Sequence, residues 1–257
     1  MPDTILITGA TSGFGRAIAE KFAENGYTIC ATGRREDRLE ELKSELEDKY
    51  GVKVIAMPFD VRNRNEVTEA VNELRSKIDK IDILVNNAGL ASGLSTIDEG
   101  DIDDWDVMID TNIKGLLYVT RMMMPLMKSS RKAHIINIGS TAAKTVYKNG
   151  NVYCATKFAV DALSQAMRID LLPYGIKVTA IHPGMAETEF SLVRFKGDAD
   201  RAKNVYNDLK PLMAEDIANT AFYCATLPAH VCINDLTITC TNQANSFYTL
   251  RNSELAK

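Results

Sequence analysis

The stretch Thr4-Ile5-Leu6-Ile7-Thr8-Gly9-Ala10-Thr11-Ser12-Gly13-Phe14-Gly15 decides the fold of this chain. A β-branched and apolar run makes a short strand, three glycines punctuate a turn, and the Ala-containing segment from Arg16 to Glu24 continues as a helix. Glycines at 9, 13 and 15 let the backbone turn sharply and approach a pyrophosphate, whose charge the N-terminus of a helix favours. Gly9, Thr11, Ser12, Gly13, Phe14 and Gly15 are therefore candidates to hold a dinucleotide, with the spacing GxxxGxG rather than GxGxxG.

Outward from this turn the alternation repeats. Strands are predicted at 27–32, 52–58, 81–86, 133–139, 176–181 and 236–240, and helices at 36–50, 65–78, 101–127, 151–172 and 215–226. Continuously apolar strands, each followed by an amphipathic helix, need a parallel sheet covered on both faces. The chain accordingly reads as one doubly wound α/β domain of about seven strands spanning residues 1–257. Residues 183–211 break the pattern, being long, charged and poor in apolar runs, and 184–211 is the expected substrate loop.

Composition narrows the function classes. Of 257 residues, 46% are hydrophobic and 25% charged, which is the balance of a globular protein with a full core and excludes disorder, collagen and coiled coil. Lys and Arg number 30 against 34 Asp and Glu, so no global field attracts nucleic acid or an anionic membrane. The apolar stretch 115–127 is interrupted by Arg121 and falls short of the roughly 20 residues that cross a bilayer. Cys30, Cys154, Cys224, Cys232 and Cys240 form an odd set without CxxC spacing, and no secretory signal opens the sequence, so a reducing, cytoplasmic setting is expected. His134, His182 and His230 are scattered, and no metal site is expected.

Two clusters carry chemistry. After the second strand, Gly33-Arg34-Arg35 stands where an acid would bond a ribose 2′-hydroxyl, and two guanidiniums without an acid favour NADP over NAD. The alternative is a pair of solvated arginines facing Glu36 and Asp37. Tyr153 and Lys157, four residues apart on the helix 151–172, share one face. A phenol beside an ammonium is a general acid–base candidate, but working at neutral pH asks for a pKa lowered by about 3, or roughly 4 kcal/mol. By itself YxxxK is as readily a solvated helix face.

Ser140 ends the strand 133–139, Asn86-Asn87-Ala88-Gly89 ends the strand 81–86, and Asn112 lies on the helix between them. Together with the Gly-rich turn, Asp60-Val61, Val152-Tyr153-Cys154-Ala155-Thr156-Lys157 and Pro183-Gly184 in that order, these residues make the chain resemble the short-chain dehydrogenase/reductase family over nearly its whole length. The resemblance implies a Rossmann-like fold and hydride transfer to or from NADP. It gives Tyr153 the proton exchange with the substrate oxygen and Ser140 the hydrogen bond to that oxygen. Lys157 would lower the tyrosine pKa and hold the nicotinamide ribose, and Asn112 would fix a water relaying protons to Lys157. Asp60 and Val61 would meet the adenine, Asn87, Ala88 and Gly89 would line the cofactor, and Pro183, Gly184 and Thr188 would flank the carboxamide. For Asp60 and Asn87 a turn-forming role is the alternative. A homo-oligomer, usually a tetramer, is also implied.

A narrower resemblance lies in Asn137 to Ala142, Thr188 to Asp198 and Leu227 to Val231. These segments are similar to NADP-dependent 3-hydroxy acid dehydrogenases, which oxidise serine, allo-threonine and related acids and reduce malonic semialdehyde. A small carboxylate substrate needs a cation, and Arg194 and Lys196 in the 184–211 segment are the candidates, a solvated charge or a subunit contact being the alternative for each. Other readings keep the tyrosine mechanism with a steroid, sugar or acyl-thioester substrate, or keep NADP binding without turnover.

Overall fold

The computed structural model describes residues 2–251. Seven strands form one parallel sheet in the order β3-β2-β1-β4-β5-β6-β7. They are β1 (Thr4–Ile7), β2 (Thr28–Gly33), β3 (Val54–Pro58), β4 (Ile83–Asn86), β5 (His134–Ile138), β6 (Lys177–Pro183) and β7 (Asp235–Ile238). The helices are α1 (Gly13–Glu24), α2 (Glu36–Tyr50), α3 (Arg64–Arg75), α4 (Ile102–Ile109), α5 (Leu116–Lys128), α6 (Asn151–Leu171), α7 (Phe190–Arg194), α8 (Ala199–Asn204) and α9 (Ala214–Ala225).

Strand pleating sorts the apolar residues into two cores. Ile5 and Ile7 of β1, with Ile29 and Ala31 of β2, face α1, α2 and α9, where Ile18, Phe22, Leu39, Leu42 and Ile217 are buried. Leu6, Cys30, Leu84 and Ile135 face the other way and pack on Val67, Val119, Met123 and Val160 of α3, α5 and α6. Every strand from β1 to β6 is thus covered on both faces, which is why these segments read as unbroken apolar runs.

The chain winds outward from β1 to β3 and then returns to place β4 on the other side of β1. At such a reversal the connections leave in opposite directions and open a crevice beyond the carboxyl ends of β1 and β4. Two expectations change. The helix predicted at 101–127 is α4 and α5 joined through a π-helical turn, Asp110–Gly115, which carries Asn112. The segment 184–211, expected to lack regular structure, holds α7 and α8, the second capped by the Asp198 carboxylate accepting from the Arg201 amide at 3.0 Å.

Candidate active site

The crevice is a cleft of about 500 Å³, within the range of small-molecule sites, and it runs from the Gly-rich turn to Tyr153. At the turn, Gly9 has φ +68° and Gly13 φ +52°, left-handed values that glycine adopts without strain. A Cβ at Gly15 would stand 2.3 Å from the Gly9 carbonyl oxygen, so the first turn of α1 presses on the loop as only glycine permits. Asn87 braces the turn from β4, its amide donating to the carbonyls of Thr8 at 2.8 Å and Gly9 at 3.1 Å. The structure therefore gives Asn87 a bracing contact as well as a place on the cleft wall.

Arg35 donates to the hydroxyls of Thr11 at 2.8 Å and Ser12 at 2.9 Å and pairs with Glu189 at 3.0 Å, while Arg38 reaches the other Glu189 oxygen at 2.7 Å. Arg34 and Arg35 line this end of the cleft. Asp60 also lines it, but its carboxylate is forked by Arg62, which, against the desolvation that pushes its pKa up, holds it below the ordinary carboxylate range. Val61, Ala88, Gly89, Pro183, Gly184 and Thr188 complete the walls.

At the far end, β5 delivers Ser140 and α6 delivers Tyr153 and Lys157. The Ser140 hydroxyl accepts from the Ala142 amide at 3.1 Å and lies close enough to Tyr153 to favour its ionised form. The Lys157 ammonium donates to the Ile138 carbonyl at 3.0 Å and lies 5.9 Å from the Tyr153 ring centroid. Burial, with Tyr147 adding to it, raises the Tyr153 pKa above its ordinary value, outweighing the opposing bond from Ser140 and charge of Arg194. Lys157 is not among the groups that lower Tyr153, and its own ammonium is pushed down to about 8 by burial. Asn112 exchanges two hydrogen bonds with the Leu90 backbone, at 2.8 and 2.9 Å, and donates to the Thr156 hydroxyl at 3.0 Å. It clamps the segment after Gly89 to the helix of Tyr153.

Of the two substrate candidates the fold brings one to the cleft. Arg194 sits among aromatic rings, 5.1 Å from the Tyr153 centroid, 5.4 Å from Tyr147 and 5.7 Å from Phe190, and donates to the Tyr147 hydroxyl. Its buried Nε has no hydrogen-bond partner among the described residues. Lys196 is not on the cleft wall. It points to the first turn of α4 and pairs with Asp104 at 3.0 Å and Asp101 at 3.3 Å. Tyr147, Phe190 and Gln243 line the cleft without having been singled out in the sequence. An aromatic residue between Ser140 and Tyr153 was the available signal for Tyr147, whereas Gln243 lies beyond β7 in a segment with no motif.

The short chain dehydrogenase family profile matches residues 3–198. The chain is a short-chain dehydrogenase. Among curated proteins, the dehydrogenase is 49% identical over 231 residues to the NADP-dependent 3-hydroxy acid dehydrogenase YdfG of Salmonella typhi, covering 90% of this chain and 92% of that one. It is 46% identical over 249 residues to sulfoacetaldehyde reductase 2 of Chromohalobacter salexigens, covering 96% and 98%. Among solved structures, the closed form of a serine dehydrogenase complexed with NADP+ superposes with a TM-score of 0.89 at 43% identity, over 96% of this dehydrogenase and 99% of that chain.

Proposed function

We propose that this dehydrogenase transfers a hydride between NADP(H) and a short 3-hydroxy acid such as serine, allo-threonine or 3-hydroxypropionate, whose oxidised partner is malonic semialdehyde. The whole chain acts as one cofactor-binding domain, with 184–211 as its substrate loop. The observation that carries the reading is Arg194, a guanidinium with an unpartnered buried Nε in the same cleft as Ser140 and Tyr153. A cation there suits a substrate whose carboxylate lies close to the reacting carbon. The relatives similar to this chain over nine-tenths of its length include an NADP-dependent 3-hydroxy acid dehydrogenase.

The donor set fits the dinucleotide. Amides in the first turn of α1 have no intrahelical partners, the glycines leave backbone approach open, and Arg34 and Arg35 stand at the end of β2 with no acid between them and the strand. Gly9, Thr11, Ser12, Gly13, Phe14 and Gly15 would hold the pyrophosphate, and Arg34 and Arg35 would hold the 2′-phosphate. When bound, NADP(H) supplies the hydride exchange that no side chain here can carry. Tyr153, kept protonated by burial, gives its proton to the carbonyl oxygen in reduction and takes it back in oxidation. Ser140 donates to that oxygen and stabilises its growing charge. Lys157 holds a positive charge beneath the site, and Asn112 keeps the backbone at Leu90 and α6 in register. Phe190, tilted against Tyr153 at 5.6 Å, and Tyr147 exclude water from the reacting carbon.

A homo-oligomer is part of the reading. Leu117 of α5 and Phe158 and Ile169 of α6 are exposed apolar side chains, and a second copy would cover them. Five free cysteines suit a reducing cytoplasm. The sulfoacetaldehyde reductase relative favours a second reading in which Arg194 meets a sulfonate rather than a carboxylate. Steady-state rates with L-serine, L-allo-threonine, 3-hydroxypropionate, malonic semialdehyde, sulfoacetaldehyde and carboxylate-free alcohols, each with NADP(H) and NAD(H), test both. Turnover confined to the carboxylates with NADP(H) is the expected result. Activity confined to the sulfonate selects the second reading, and activity confined to neutral alcohols overturns both.

A further inference from the structure

We propose that His182 is a positioning residue for Ser140, its buried ring holding the serine backbone from behind while Lys144, Asp161 and Asp235 hold the ring. The inference rests on the role given to Ser140 above. His182 lies in β6 and is fully buried. Its Nδ1 is 3.2 Å from the carbonyl oxygen of Ser140. A Cβ at position 139 would stand 2.3 Å from that same Nδ1, so the ring fills the space against the Gly139 backbone and leaves the strand end no room to shift toward it. On its other side, Nε2 is 3.1 Å from an Asp235 oxygen and 3.6 Å from an Asp161 oxygen.

The surrounding charges come from three elements. Lys144 follows the short 3-10 turn, Thr141–Ala143, that Ser140 caps; Asp161 lies one turn beyond Lys157 on α6; Asp235 opens β7. Lys144 reaches Asp235 at 2.8 Å and Asp161 at 3.2 Å. The ligand atoms of Asp161, His182 and Asp235 lie within 4.8 Å of one another, close enough for a metal, but the Lys144 ammonium already supplies a cation to both carboxylates. The cluster is therefore an ionic cage. No motif marks it, because its members are spread over 91 residues and only the packing of β6 against α6 and β7 assembles them.

Donor and acceptor bookkeeping shows why a histidine serves here. The Ser140 carbonyl only accepts, as do ionised carboxylates, so both ring nitrogens face acceptors. A ring with one proton anchors to one side and an imidazolium to both. Asp161 shares α6 with Tyr153, so the ring ties the seat of the serine to the helix that carries the proton donor. Loss of this tie lets the Ser140 hydroxyl drift from its place beside Tyr153 in the cleft.

The test compares His182→Leu, His182→Asn, Asp235→Asn and Ser140→Ala for kcat and KM with L-serine and NADP, and for NADPH affinity by fluorescence titration. In His182→Leu the expected kcat falls about tenfold, less than the ~100-fold cost of losing an oxyanion donor, with KM and NADPH affinity within about twofold. His182→Asn, whose amide again offers an N–H to the Ser140 carbonyl, is expected to recover kcat to within about threefold of the parent. Unchanged kcat in folded His182→Leu overturns the proposal, as does an equal loss in His182→Asn, which would make the ring mere packing. If His182→Leu does not fold, Asp235→Asn at the solvent-facing start of β7 decides, a drop of about threefold in kcat alone supporting the proposal and no change overturning it. Full activity in Ser140→Ala removes the role of Ser140 itself. An inactive Ser140→Ala beside an unaffected His182→Leu removes only the positioning role.

Discussion

The guanidinium carbon of Arg194 lies 5.1 Å from the centroid of the Tyr153 ring, bringing a fixed cation from the 184–211 segment to the residue of α6 proposed to exchange the proton. The charge is held there by aromatic faces and by the Tyr147 hydroxyl. The guanidinium Nε is buried and has no hydrogen-bond partner among the described residues.

Removing that cation should therefore separate acids from neutral substrates. Arg194→Ala is expected to lower kcat/KM for 3-hydroxy acids about 100-fold, near 2.7 kcal/mol, while carboxylate-free alcohols change by less than about threefold. Equal losses for both would mean that Arg194 only props the Tyr153 ring. Lys196→Ala, which breaks an exposed pair with Asp101 and a half-buried one with Asp104, is expected to leave kcat/KM within about twofold.

The two buried titrating groups predict a pH profile. Burial raises Tyr153, so its phenol keeps the proton through neutral pH, and lowers Lys157 to about 8, so its ammonium is present below that pH and lost above it. Reduction should hold steady at neutral pH and fall as pH rises through about 8. In Lys157→Arg the charge persists to higher pH, and the falling limb should move with it. A limb that stays in place assigns the titration to another group.

At the other end of the cleft, Arg35 is prearranged on Thr11 and Ser12. Arg35→Ala is expected to weaken NADP binding by about 30-fold, the loss of a charge-assisted phosphate contact, and to leave NAD binding within about twofold. Calorimetric titration with both cofactors measures this directly. Parallel losses would show that Arg35 braces the loop without reading the phosphate.

Gly15→Ala probes the contact between α1 and the turn. With a Cβ placed 2.3 Å from the Gly9 oxygen, backbone must move, at a cost of about 1–3 kcal/mol. The expected result is a melting temperature lower by roughly 2–10 °C together with weakened NADP binding. An unchanged melting temperature would mean that the loop has slack.

Much of the architecture was legible because its signals are local. A parallel sheet buried on both faces demands continuous apolar strands, and β1 to β6 supply them with ends within a few residues of expectation. The exposed pattern of β7 was the weakest. Helix periodicity ran straight through 101–127 because the π-turn at Asp110–Gly115 changes hydrogen bonding without changing the apolar stripe. Inside 184–211, α7 and α8 are too short to show a period.

The site divides the same way. The Gly-rich turn and the Tyr153–Lys157 pair lie within single turns of chain, so spacing alone placed their side chains together. Arg194 and Lys196 stand two residues apart in one loop, and nothing in that spacing tells which faces the cleft. Tertiary packing decided it: the Tyr147, Tyr153 and Phe190 rings receive Arg194, whereas Asp101 and Asp104 draw Lys196 away. The direction of the Tyr153 pKa was likewise outside the reach of sequence, since desolvation depends on what surrounds a group in space, and here it outweighs the neighbouring charges. Sequence determined the sheet, the turn and the residues offered for chemistry; packing determined which of them share a cleft, because burial and charge pairing are properties of distance in space rather than separation along the chain.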